Sequence, residues 1–341
     1  MIMKPDLVSI IIPTYNRAEL LLQAIASAQA QTWSKTQIIV VDDGSTDDTR
    51  EKAEKISGIE YVYQHNAGQA AARNAGLMHA EGEFICSLDS DDLWHPEFLT
   101  RCINGIKRLN ADIGFANWIS VNERGQVLLS YFQNHDEWRT YPETDLPDWR
   151  VIDSGRSRVA INNACVAPSS ALIIRRTAME QGWTNKFQIT DDWCMLLDAV
   201  MRRPTTIAFT MEPLWTKRIV GDNIHDHRTD SKFIQQFYVH DYGLIVKRFA
   251  DLHTPDERAL WHGRLAIGNF KVARACVRAK NWFGAAGNTM QGAIHYLKCK
   301  RLRQDLAEET LALIKAKKAT GLKLADHPVT GDAQAAPHAG L

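Results

Sequence analysis

Four short apolar runs, at residues 8–12, 37–41, 59–63 and 84–88, each break off into a polar cluster, with a stretch of helical period between one run and the next. The runs are rich in Ile and Val, and most do not alternate with polar residues, which fits strands covered on both faces. Between the first two, residues 19–30 carry Leu20, Leu21, Ala24, Ile25 and Ala28 on one side of a predicted helix. Strand and helix in regular alternation, joined by a few residues each, predict an α/β chain: a mostly parallel, doubly wound sheet with right-handed crossovers. Such sheets bind ligands at the carboxyl ends of their strands. Asn16, Asp43 and Asp89 all fall there and are expected along one edge.

The fourth run ends in Asp89, Ser90, Asp91 and Asp92. Carboxylates about 5 Å apart at an effective dielectric near 20 repel by roughly 3 kcal/mol per pair, so something must offset them. Water suffices in an exposed loop. If the acids converge, a divalent cation suits their hard oxygens, and magnesium or manganese is expected where a substrate's phosphates complete the shell. Asp89 and Asp91 point to one side of an extended chain, which favours convergence. After the second run, Gly44 permits a tight turn, and Thr46 is expected to cap a helix with Asp47 and Asp48 in its first turn.

Further along, a helix is expected over 96–109 and a hairpin from 113–121 and 127–132 around residues 122–126. Residues 133–162 show no clean period and read as a long loop. A strand at 171–174 precedes Thr190, Asp191, Asp192 and Trp193, which open a helix burying Trp193, Leu196, Leu197 and Val200. Residues 205–220 read as strand. Residues 231–319 read as helical, broken near Thr254 and Pro255 and again at 281–287. The expected organisation is a domain over 1–230, divided into 1–110 and 111–230, a helical C-terminal region over 231–320, and a disordered tail over 321–341.

Lys plus Arg equals Asp plus Glu at 40 each, so no global field points to nucleic acid or to a membrane. The charge is unevenly distributed, however: residues 261–320 hold twelve basic side chains against Asp305, Glu308 and Glu309. The six cysteines are far apart in sequence and include no Cys-x-x-Cys pair, the pattern of reduced packing residues in a cytoplasmic protein. The run at 8–12 stops at Pro13, so no secretory leader is expected, and no stretch is long and apolar enough to span a bilayer.

Five clusters carry a family likeness: Pro13, Thr14, Tyr15 and Asn16; Asp42, Asp43, Gly44 and Ser45; Asn66, Gly68, Arg73 and Asn74; Asp89, Ser90, Asp91 and Asp92; and Asp191, Asp192 and Trp193. In this order and spacing the chain resembles the family 2 glycosyltransferases, which have the nucleotide-sugar-binding GT-A fold, over about residues 8–228. The resemblance implies an inverting, metal-dependent hexosyltransferase that takes a nucleotide-diphosphate sugar to a carbohydrate or lipid-linked acceptor, in assembly of a cell-surface polysaccharide such as exopolysaccharide, O-antigen or lipopolysaccharide. By that resemblance Pro13, Thr14, Tyr15, Asn16, Asp43, Gly68, Arg73, Asn74, Asp89 and Ser90 bind the donor, with Asp43 meeting the base. Asp91 is the direct ligand of magnesium or manganese, with Asp89 beside it. Asp192 is the base that deprotonates the acceptor hydroxyl, and Asp191 stands where the family usually has glutamate.

Each residue has a plainer reading. Asp43 can cap a turn, Arg73 can be a surface arginine, and Asp191 and Asp192 can simply favour the dipole of a helix capped by Thr190. The chain also departs from the family pattern. The histidine usually found after the last core strand, near the metal, is matched here only by His225 or His227, a few residues late, and His225 is the candidate ligand. Two other classes remain: a non-catalytic nucleotide-sugar-binding protein, which predicts loss of the acids, and a sugar-1-phosphate nucleotidyltransferase, which carries a glycine-rich basic loop where this chain has residues 13–16. The basic segment 261–318 is either an ordinary solvated helical region or a contact with the anionic inner face of a membrane. The sequence does not specify an oligomeric state.

Overall fold

The computed structural model describes residues 3–134, 136–179, 181–220 and 231–319. In chain order the first half runs β1 (Lys4–Thr14), α1 (Ala18–Gln29), β2 (Thr36–Asp42), α2 (Thr49–Ala53), β3 (Ile59–Tyr63), α3 (Gln69–His79), β4 (Gly82–Ser87), β5 (Leu93–Trp94) and α4 (Phe98–Arg108). The second half of the sheet domain adds β6 (Ile113–Asn122), β7 (Val127–Ser130), β8 (Trp149–Ile152), α5 (Ser154–Asn163), β9 (Leu172–Arg175), α6 (Asp191–Arg202) and β10 (Ile207–Ile219). The helices α7 (Ser231–Gln235), α8 (Tyr242–Arg248), α9 (Pro255–Arg278) and α10 (Trp282–Ala319) complete the chain, with a π-helical turn at Gln236–Asp241 between α7 and α8.

One mixed sheet runs in the order β3-β2-β1-β4-β9-β6-β10-β5, with β7 paired to β6 and β8 to β10. The first four strands are parallel, as the buried runs predict. Beyond β4 the sheet becomes mixed: β9 is antiparallel to both β4 and β6, while β6 and β10 are parallel. Val8, Ile10, Ile11 and Ile12 of β1 are fully buried at the centre of the core. Gly76 of α3 lies so close to β1 that a Cβ there would sit 2.5 Å from Ile11 Cγ2. Its lack of a side chain lets α3 settle onto the sheet near the strands' carboxyl ends.

Two sequence expectations need correction. Residues 133–162 are not a featureless loop, because β8 pairs with β10 and α5 follows, opened by Asp153, whose carboxylate accepts from the N–H groups of Gly155 and Arg156. Trp149 of β8 fills the space above Gly105, where a Cβ would approach its ring to 2.3 Å. Thr46 does not cap α2. The N-cap is Asp48, and Asp47 accepts the N–H of Thr49 at 3.0 Å. The break at Thr254 and Pro255 is as expected: Thr254 and Glu257 form a reciprocal capping box with Pro255 opening α9.

Candidate active site

The chain leaves β4 and turns at once. The N–H of Asp92 donates to the Asp89 carbonyl at 3.0 Å, and the Ser170 hydroxyl ties both residues down, accepting from the Asp89 N–H at 3.1 Å and donating to the Asp92 carboxylate at 2.7 Å. This turn gathers the acids: Asp89, Asp91 and Asp92 each present an oxygen, all within 4.8 Å of one another. Asp91 is only 7% exposed. An outward-facing, solvated Asp91 would have removed the metal reading.

Charge from distant elements meets the cluster. Arg17, at the start of α1, holds Asp91 at 2.6 Å. From the end of β10, Arg218 donates its backbone N–H to Asp92 at 3.2 Å and its side chain to the Asp91 carbonyl. Even so, burial raises the Asp91 carboxyl above its ordinary range, and the neighbouring Asp89 adds to the effect against the pull of Arg17. Asp92 is raised further by burial and by Asp91 and Asp89. Three hard oxygens that are costly to ionise together form a donor set that fits magnesium or manganese.

Arg73 of α3 links this cluster to α6. Its guanidinium donates to Ser87 Oγ at 3.2 Å, to Asp89 at 2.7 Å and to Asp191. The arginine is nearly fully buried, so the surface reading fails. Burial alone would lower its pKa, but Asp191 and Asp89 outweigh that and raise it. Asp191 also accepts from Gln69 Nε2 at 3.1 Å. Asp192 is half-buried, accepts its neighbour Trp193's N–H at 2.7 Å, and is pushed up to about 7 by burial and then by the Asp191 charge, against Arg73.

Thr190 is the N-cap of α6, but its hydroxyl does not do the capping. Asp241, fully buried in the π-helical turn, reaches in and accepts from the N–H groups of Ile189 and Thr190 at 3.1 and 3.2 Å and from the Thr190 hydroxyl at 3.3 Å. Across the helix, Trp193 Nε1 donates to the Ile161 carbonyl at 2.7 Å, and the ring packs against Trp261 of α9. Helices beyond the sheet domain therefore fix the element that carries Asp191 and Asp192.

On the other side of the edge, Asp43 accepts from Gln64 Nε2 at 2.6 Å and from the N–H groups of Ala67 and Gly68 at 2.8 Å each. It ties the end of β2 to the start of α3, where Gly68 takes a φ of 90°. The Asn16 side chain accepts the N–H of Thr46 at 2.7 Å and steadies the loop at 44–47. Pro13, Thr14 and Ser90 are buried, while Tyr15 is exposed. Asn74 pairs through both ends of its amide with the Trp183 backbone. His225 and His227 lie outside the described residues.

Sequence reasoning brought Asp89, Asp91, Arg73, Asp191 and Asp192 to the site but overlooked Arg17, Gln69, Asp92 as a ligand-range carboxylate, Ser170, Arg218 and Asp241. Asp92 alone had a local signal, lying beside the two acids already chosen. Beside Gln69, a cavity of about 540 Å³ opens between the start of α3, the loop before α6 and α7, lined among others by Gly68, Phe187, Gln188, Lys232 and Phe233.

An α/β sheet with acids at the end of its fourth strand, wired to an acidic pair at a helix start, defines the class, and sequence comparison agrees. The profile of "Glycosyl transferase family 2" matches residues 9–183, just over half of the chain, and the chain belongs to that family. Among curated relatives, an uncharacterized glycosyltransferase of Nostoc sp. is 31% identical over 227 residues, covering 64% of this chain and 66% of the relative. Another, from Rickettsia felis, is 34% identical over 139 residues, covering 40% of this chain; that match spans less than a quarter (23%) of the relative's length. Among solved structures, Staphylococcus aureus TarS 1–349 in complex with UDP-GlcNAc matches with a TM-score of 0.53 at 18% identity, over 83% of this chain and 90% of that one. A mannosyltransferase of Pyrobaculum calidifontis in complex with GDP-Man and Mn2+ matches with a TM-score of 0.51 at 16% identity, over 85% and 86%. At such identities the structural likeness bears on the fold alone, which is GT-A.

Proposed function

We propose that this protein is an inverting hexosyltransferase that moves a sugar from a nucleotide-diphosphate donor to an acceptor hydroxyl and requires a divalent cation. The observation that carries the reading is the single buried guanidinium of Arg73, joined to Asp89 on one side and Asp191 on the other. It ties a cation-suited acidic turn to a helix that bears a second, independent carboxylate. Donor complexes of the two structural neighbours, with UDP-GlcNAc and with GDP-Man and Mn2+, support a donor of this class.

Residues 1–110 hold the donor and 111–230 the acceptor side, with 231–320 as a helical support. Pro13, Thr14, Tyr15, Asn16 and Gly68 border the nucleotide. Asp43 contributes chiefly by fixing the loop at 66–68 against it. Asp91 and Asp89, with Asp92 beside them, would hold magnesium or manganese, which as a Lewis acid supplies charge stabilisation for the departing nucleoside diphosphate.

Asp192 takes the proton from the acceptor hydroxyl as that oxygen bonds to the anomeric carbon and the bond to the diphosphate breaks. A carboxylate pushed up to about 7 is well matched to removing a proton at neutral pH. Burial here outweighs the helix start, whose dipole on its own favours the ionised carboxylate. Attack opposite the leaving group inverts the anomeric centre. The acceptor is a carbohydrate or a lipid-linked carbohydrate of a cell-surface polysaccharide assembled from the cytoplasmic side, entering by the cavity beside Gln69.

A thermal-shift screen of nucleotide-diphosphate sugars with manganese tests the reading, because a ligand that binds only the folded state raises the melting temperature. One donor is expected to raise it in a manganese-dependent way, and Asp91→Ala is expected to remove the manganese dependence. If no nucleotide-diphosphate sugar stabilises the wild-type protein with or without metal, the assignment fails.

A further inference from the structure

We propose that the outward face of α10, continued by the end of α9, docks on an anionic lipid bilayer. The two helices form an antiparallel hairpin whose inner faces meet: His262 lies 3.0 Å from His295, and a Cβ on Gly292 would touch the Phe270 ring. On α10 the contacting residues His295, Gly292 and Cys299 share one side. At 100° per residue, Phe283, Met290, Ile294 and Leu297 fall together on the opposite side, facing away from α9.

Phe283 is 94% exposed, Met290 60% and Leu297 62%, and Trp282, at the turn into α10, is 65% exposed. These side chains make an apolar stripe toward solvent, about 20 Å long, on a helix whose other side packs on α9. Val277 and Ile267 of α9 are exposed as well.

Charge identifies the occupant. From residue 258 to residue 304 the chain has no Asp or Glu, while ten Lys and Arg side chains occur in that span. Arg274, Arg278 and Lys280 stand at the turn end of the hairpin, and Lys298, Lys300, Arg301 and Arg303 at the far end of the stripe. Acids return at Asp305 and Glu308, positions that fall on the same side of α10 and so end the stripe. Basic groups at both ends of an apolar band suit lipid phosphates around acyl chains. A symmetric pairing with a second copy would set this acid-free surface against itself, with like charges opposed. The surface shares no residue with the acidic site, so its test is separate from the test of catalysis.

The full chain is floated with phosphatidylcholine vesicles and with vesicles containing 30% phosphatidylglycerol, and its oligomeric state is measured alongside. Binding is expected only with the anionic vesicles. It should weaken at least ten-fold between 50 and 500 mM NaCl, since salt screens the attraction and each basic group near an anionic surface strengthens binding roughly five-fold. Phe283→Asp with Met290→Asp is expected to lower binding at least ten-fold while leaving the melting temperature unchanged, as both side chains are exposed. Lys298→Glu with Arg301→Glu should act in the same direction. Absence of binding to anionic vesicles at 50 mM NaCl overturns the proposal. So does binding that survives both double substitutions. A wild-type dimer that Phe283→Asp with Met290→Asp dissociates would assign the face to a second copy instead.

Discussion

Replacing Asp192 by Asn should separate stability from turnover in opposite directions. Folding raises this carboxyl from an ordinary value of 3.8 to about 7. The folded state therefore holds a proton that the unfolded chain releases between those two values. The sign follows: below the unfolded pKa both states are protonated and the carboxyl is no burden, whereas stability is lost as pH rises through the folded value. About three units at 1.4 kcal/mol each set a ceiling near 4 kcal/mol above pH 8. Asp192 keeps some contact with water and shares its environment with Asp191 and Arg73, so about 2 kcal/mol is the working figure. Asn has nearly the same shape, can still accept the Trp193 N–H, and never ionises. Urea unfolding of both proteins without metal should give matching stabilities near pH 4 and a variant more stable by about 2 kcal/mol at pH 8.5, while transfer falls by three orders of magnitude or more. A stability difference that is the same at both pH values would refute the reasoning, and retained turnover would place the base elsewhere.

Two further outcomes follow from the same geometry. The logarithm of kcat/KM should fall with unit slope below about pH 7 as Asp192 gains its proton, and Asp191→Asn should move that limb to lower pH, because the Asp191 charge is one cause of the raised value. Steady-state rates across pH 5–9 check both, and an unmoved limb counts against the coupling. Asp241→Asn should lower kcat about ten-fold with donor KM unchanged, since it loosens the start of α6 without touching the donor side; a matched loss in both parameters would make Asp241 merely structural.

The parallel half of the sheet was legible because its strands are continuous Ile and Val runs, and burial on both faces leaves that signature in the composition. The acids at 89, 91, 191 and 192 were legible for a related reason: the first two directly follow an apolar run and the last two directly precede one, so their place at a strand end or helix start is a local property. Residues 133–162 hid β8 and α5 because α5 has only a weak apolar face and β8 joins the sheet through a single partner far along the chain. Arg17, Arg218 and Asp241 were invisible for want of any local pattern, since each meets its carboxylate or backbone partner across 51 to 127 residues. The raised value of Asp192 likewise depends on packing from other elements, whereas a helix start by itself favours the ionised form.

Arg73 has one positive charge and two acidic dependents on different elements. Whatever anion arrives beside it on the Asp89 side draws on the same field that keeps the proton affinity of Asp192 in check. On the proposed function, a donor diphosphate whose charge its cation does not fully offset would raise the proton affinity of Asp192 by weakening the pull of Arg73. The two halves of the site would then be coupled electrostatically through one buried side chain.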